Sequence, residues 1–109
     1  MAIEGLPAAG CELAGQVALV TGGAKNIGRA ISLALAAAGA AIAVNTLRSR
    51  DEAEAVVREI RAAGGDAEVF IADIADAAAV RAMGEGVMKR FGRIDILVLN
   101  ASQRREVLF

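Results

Sequence analysis

Four short apolar runs alternate along the chain with three longer segments in which apolar residues recur every third or fourth position. Gln16 to Val20, entered after Gly15, reads as a strand whose Val17–Val20 run is continuously apolar, as strands buried on both faces of a parallel sheet are. Ile27, Ala30, Ile31, Ala34, Leu35 and Ala38 then recur at helical spacing, and Gly39 closes that segment. A second strand spans Ala40 to Val44 and ends at Asn45. Ser49-Arg50-Asp51-Glu52 has the form of a capping box, with a hydroxyl at the N-cap and a carboxylate three residues on. The helix it opens turns Val56, Ile60 and Ala63 inward and stops at Gly64-Gly65. Glu68 to Ala72 reads as the third strand. Asp76 is placed to cap a third helix carrying Val80, Met83, Val87 and Phe91 on one stripe, with Gly92 after it. Gly84 and Gly86 lie inside that helix, although each weakens it by about 1 kcal/mol relative to alanine. Ile94 to Leu99 forms the fourth strand, followed by Asn100-Ala101-Ser102. Residues 1–14 have no periodicity and read as a leader, leaving 15–109 as the expected N-terminal part of a single domain, cut off after the fourth strand.

The pattern is β-α-β-α-β-α-β, and each crossover is long enough to hold a helix. Right-handed crossovers then give a parallel sheet with helices on both faces. The expected fold class is α/β, a doubly wound, Rossmann-like sheet with strand order 3-2-1-4 for this part. In such sheets ligands bind beyond the carboxyl ends of the strands where the order reverses, here strands 1 and 4. Thr21–Gly28 and Asn100–Ser102 both lie at that place.

Thr21-Gly22-Gly23-Ala24-Lys25-Asn26-Ile27-Gly28 joins the first strand to the first helix. A glycine-rich turn there brings bare backbone N–H groups to an anion, and the helix N-terminus adds roughly half a positive charge. The loop is therefore a phosphate cradle. The dinucleotide fingerprint G-x-G-x-x-G fails: Gly23 and Gly28 have the spacing of its outer pair, but Lys25 stands where its middle glycine is needed. Gly23 and Gly28 have the spacing of a P-loop, but Arg29 and Ala30 replace its lysine and its magnesium-binding hydroxyl. Triphosphate hydrolysis is disfavoured on that ground.

Composition narrows the partners. Of 109 residues 56% are hydrophobic and 23% charged, which argues against disorder. A net charge of −1 offers nothing to nucleic acid or an anionic membrane in bulk. No apolar run approaches the roughly 20 residues of a membrane helix, and the N-terminus lacks the basic region of a signal peptide. The lone cysteine, Cys11, makes no internal disulfide, and a cytoplasmic setting is expected. Histidine and tyrosine are absent from these 109 residues, so an imidazole base or a phenol proton donor would have to come from elsewhere.

Leu13-Ala14-Gly15-Gln16-Val17-Ala18-Leu19-Val20 with the loop through Gly28 resembles the L-x-G-x-V-A-L-V and T-G-x-x-x-G-x-G pattern of the classical short-chain dehydrogenase/reductase family. Asn26 stands where that family has its middle glycine; asparagine is the side chain that best tolerates left-handed backbone. The family's N-N-A-G motif reads Leu99-Asn100-Ala101-Ser102, matching at two positions, and its aspartate after strand 3 corresponds to Asp73. The resemblance implies a nicotinamide-dependent oxidoreductase. Its cofactor contacts would fall on Gly22, Lys25, Asn26, Ile27, Gly28, Asn45, Leu47, Arg48, Ser49, Asp73, Ile74, Asn100, Ala101 and Ser102. The Asp73 carboxylate would accept from the adenine amino group, with the Ile74 backbone alongside.

NAD sites hold the adenosine ribose with a carboxylate at the end of strand 2, about 20 residues past the glycines. Asn45 falls there, and an amide does not repel a 2′-phosphate. Arg48 offers a guanidinium fork, Ser49 a hydroxyl and Lys25 an ammonium; a basic residue at the position of Lys25 is also what NADP-using members of the family show. NADP(H) is expected over NAD(H). The family's serine, tyrosine and lysine catalytic groups lie past strand 4, so no catalytic residue and no metal ligand is assigned here. Two readings stay open: the cofactor-binding half of a carbonyl reductase acting on a 3-oxoacyl compound or another small ketone or aldehyde, homo-oligomeric when full length, or a dinucleotide-binding module without turnover.

Overall fold

Strands with both faces apolar need cover on both sides, and that requirement organises the molecule. The computed structural model describes residues 12–100. Its elements are β1 (Val17–Thr21), α1 (Asn26–Ala37), β2 (Ala41–Thr46), α2 (Arg50–Ala62), β3 (Ala67–Ile71), α3 (Ala77–Phe91) and β4 (Ile96–Leu99). All three strand pairings are parallel and the order is β3-β2-β1-β4. Leu19 stands between Ala43 and Leu97 in register, so β1 is the central strand against which the switch in winding occurs.

Alternate strand residues build two core layers. Ala18, Val20, Ile42 and Val44 pack with Val56, Val57 and Ile60 of α2, and Ile31 and Leu35 of α1 close the same layer. Val17, Leu19 and Ala43 face the other way, against Met83 and Val87 of α3. Each fully buried Val or Ile of this set contributes roughly 1.5–3 kcal/mol of transfer free energy. Leu13 is docked as well: its N–H donates to Ala38 O at 2.8 Å and its side chain packs against the first layer.

Several expectations need correction. Of the stripe expected on α1, Ile31 and Leu35 pack inward, but Ile27, Ala30 and Ala34 are exposed. The buried residues of α1 are Gly28 and Ser32, whereas Ile27 is 69% exposed. The loop fixes this phase by seating Gly28 on Gly22, and Ser32, one turn on, shares its hydroxyl between Gly28 O (2.9 Å) and Gly23 O (3.3 Å). Ala63 is the exposed C-cap of α2 and takes no part in the core. In α3 the inward stripe is Ala79, Met83, Val87 and Phe91, with Val80 39% exposed. Gly86 acquires a reason: a Cβ there would stand 3.3 Å from Phe70 Cε1 on β3. Nothing in the structure explains Gly84. Asp76 does cap α3, accepting from Ala78 and Ala79 N–H.

β4 starts at Ile96, two residues later than expected, because Asp95 serves as a clamp. Its N–H donates to Val17 O at 2.9 Å and its Oδ2 accepts the Val17 N–H at 2.8 Å. Arg93, bound to Asp95 Oδ1 at 2.6 Å, and then the Val17 N–H hold the Asp95 carboxyl below the usual carboxylate range.

Candidate functional site: the mouth of the first helix

β1 delivers the chain to Gly22, which turns it at φ 62°, and Gly23 N–H ties the loop to β2 through Asn45 O at 3.0 Å. Lys25 is the N-cap of α1 and Asn26 its first residue, at φ 53°. Asparagine in place of glycine thus occupies a left-handed conformation, as expected. Gly28 is sterically obligatory: a Cβ would drive into Gly22 O and meet Asn100 Nδ2 at 2.7 Å. That close approach lets the helix begin directly over the strand end.

The N-terminus of α1 has no side-chain cap and no acidic residue in its first turn. The first N–H groups of a helix have no intrahelical acceptor, and the aligned peptides place roughly half a positive charge behind them. Most helix starts recruit a Ser, Thr, Asp or Asn for this job. α1 instead presents the bare N–H groups of Asn26, Ile27 and Gly28, and its N-cap residue, Lys25, carries an exposed ammonium. An anion satisfies those N–H groups.

The rim beyond β2 differs from the expected one. β2 runs through Thr46, so Asn45 lies inside the sheet, 1% exposed. Its Nδ2 donates to Phe70 O (3.1 Å) and Ala72 O (3.2 Å), so the amide braces β3 and does not face the mouth. The rim consists of Leu47, 40% exposed, with Arg48 and Ser49. Ser49 is the N-cap of α2, but its side chain makes no cap bond. The capping box is not formed: Ser49 N–H donates to Thr46 Oγ1 at 3.2 Å, so Glu52 has no N–H to accept. Its carboxylate lies 4.0 Å from Lys25 Nζ instead.

After β3, Asp73 Oδ1 accepts the Ala75 N–H at 2.9 Å, an Asx-turn, which leaves Oδ2 uncommitted among the described residues. Ile74, next to it, is partly buried. After β4, Asn100 works as a brace. Its N–H donates to Thr21 Oγ1 (2.9 Å), Thr21 Oγ1 donates to Val98 O (3.1 Å), and Asn100 Nδ2 donates to Gly22 O (3.2 Å). Thr21 is the member of this cross-link that sequence reading passed over; its place at the head of the loop motif was the available signal. Ala101 and Ser102 lie outside the described residues. The structure therefore gathers Gly22, Lys25, Asn26, Ile27, Gly28 and Asn100 at one mouth, lines its rim with Leu47, Arg48 and Ser49, and withdraws Asn45. A cleft of about 300 Å³ between the C-terminal ends of α1 and α2 lies at the opposite end of the strands and has no part in this site.

A family model for short chain dehydrogenase matches residues 16–109. A 3-oxoacyl-(acyl-carrier-protein) reductase, FabG, from Staphylococcus aureus (strain N315) is 48% identical over 91 residues, which is 84% of this chain and 37% of that protein. A short-chain dehydrogenase/reductase homolog from Bacillus subtilis (strain 168), YusS, is 45% identical over 92 residues, 84% of each chain. Among solved structures, a short chain dehydrogenase from Burkholderia cenocepacia J2315 in complex with NADP superimposes with a TM-score of 0.82 at 47% identity, over 85% of this chain and 38% of that one. A metagenomic short-chain oxidoreductase in complex with NADP gives 0.78 at 43% identity, over 84% and 41%. The chain thus spans well under half the length of the reductase and of both solved chains.

Proposed function

The chain belongs to the short-chain dehydrogenase family, and from that premise we propose that it is the cofactor-binding part of an NADP(H)-dependent oxidoreductase that reduces a carbonyl by hydride transfer. The observation that carries the reading is the uncapped, acid-free N-terminus of α1 beside Lys25. The residues fit a dinucleotide. Gly22 and the N–H groups of Asn26, Ile27 and Gly28 would hold the pyrophosphate. Lys25, Arg48 and Ser49 would take the 2′-phosphate, and Asp73 Oδ2 with the Ile74 backbone the adenine. Asn100, Ala101 and Ser102 would border the cofactor beyond β4. No carboxylate stands at residues 45–49, where an NAD site would carry one. The NADP in the two similar solved structures supports the same choice.

Bound nicotinamide supplies the hydride; the work of this stretch is to hold the cofactor and fix its orientation. The 3-oxoacyl reductase among the relatives suggests an oxoacyl compound or another small ketone or aldehyde as substrate. A homo-oligomer acting in the cytoplasm completes the proposal. No helix among the described residues is long and apolar enough to cross a membrane. Binding without turnover is the second reading, since the uncapped N-terminus of α1 would account for dinucleotide binding unaided. Following NADPH absorbance over a panel of 3-oxoacyl esters, ketones and aldehydes separates the two: consumption with at least one carbonyl supports the reductase, and none with any of them favours the binding module.

A further inference from the structure

Lys25 is the ammonium that the loop offers to an extra phosphate, and it already has a partner. Its Nζ lies 4.0 Å from Glu52 Oε1, and both side chains are about half exposed. Glu52 is the third residue of α2, where a carboxylate ordinarily folds back onto the N-cap N–H. Thr46 Oγ1 has taken that N–H, so the carboxylate is released toward the start of α1. The pair therefore bridges the N-termini of two helices across the mouth of the site. Arg48, the other rim cation, forms no ion pair among the described residues.

We propose that Glu52 is a specificity-determining counter-charge: it holds the Lys25 ammonium that a 2′-phosphate needs, and so limits how strongly the site prefers NADP(H) to NAD(H). This inference rests on the cofactor reading above. A phosphomonoester carrying close to two negative charges must share or displace the carboxylate at Lys25. The 2′-hydroxyl of NAD(H) makes no such demand, so its binding is almost indifferent to Glu52. Ion pairs this exposed are weak and screened. The effect is accordingly a few-fold and does not reverse the preference.

The test is a fluorescence titration of the protein with NADPH and NADH, for wild type, Glu52→Gln, Lys25→Ala and the double variant. Glu52→Gln should tighten NADPH by about three-fold, the range open to an exposed pair. NADH should hold steady, and the NADPH gain should vanish when Lys25 is already alanine. If wild type prefers NADPH but Glu52→Gln leaves it unchanged or weaker, or if the gain survives without Lys25, this inference fails and the cofactor reading stands. A wild type with no preference overturns the cofactor reading and the inference together.

Discussion

Gly28 and Asn45 illustrate opposite ways in which a residue serves this site. Gly28 acts by having no side chain, because Gly22 O and Asn100 Nδ2 occupy the space a Cβ would need. Gly28→Ala is expected to cost about 1–3 kcal/mol through forced separation of loop and helix, and to remove measurable NADPH binding while the variant stays folded; a melt and a titration on one sample check both. Asn45 has the identity expected of a ribose-facing amide, yet its position is structural, since the carbonyls it satisfies belong to Phe70 of β3 and to Ala72 just after it. Asn45→Ala leaves Phe70 O and Ala72 O without that donor and should cost about 1–3 kcal/mol, with the ratio of NADPH to NADH affinity unmoved. A shifted ratio would return Asn45 to the rim. Sequence spacing located the end of β2 to within one residue, and in a strand one residue is the difference between lining a mouth and facing the core.

Helix existence and strand order follow from apolar periodicity, but the rotation of a helix about its own axis does not. In α1, Ile31 and Leu35 of the expected stripe pack on the core, but Ile27, Ala30 and Ala34 stay exposed because the contact of Gly28 with the loop turns the helix. The capping box of α2 had the right residues and lost its N–H to a threonine three residues upstream. Such competition between local hydrogen bonds leaves no trace in spacing. The turn between α3 and β4 carries a pH signature. Arg93 and the Val17 N–H favour the charged form of Asp95, so its folded-state pKa lies below the unfolded value. Its stabilisation is then complete above about pH 4 and is lost as pH falls through the lowered folded value. Asp95→Asn should melt earlier than wild type at pH 7, and the gap between the two should close on acidification below about pH 4. A gap that stays constant down to pH 2 would mean that the clamp does not depend on the carboxylate's charge.

Across the whole molecule, the order β3-β2-β1-β4 places the ends of β1 and β4 side by side, and the brace from Asn100 through Thr21 to Gly22 joins them. That much was legible because continuous apolar runs separated by helical segments admit few topologies. The charge layout at the mouth was legible only in part: Lys25 and Arg48 could be named, but Glu52 beside Lys25 is a product of packing. The central claim is that this mouth reads a phosphate on the adenosine ribose. Dissociation constants of the wild-type protein for NADPH and NADH, measured side by side with Arg48→Ala, test it most directly. The account predicts that NADPH binds at least about ten-fold tighter, a difference of about 1.4 kcal/mol, and that Arg48→Ala erodes this advantage through NADPH alone. Equal constants for the two cofactors in the wild-type protein would contradict it.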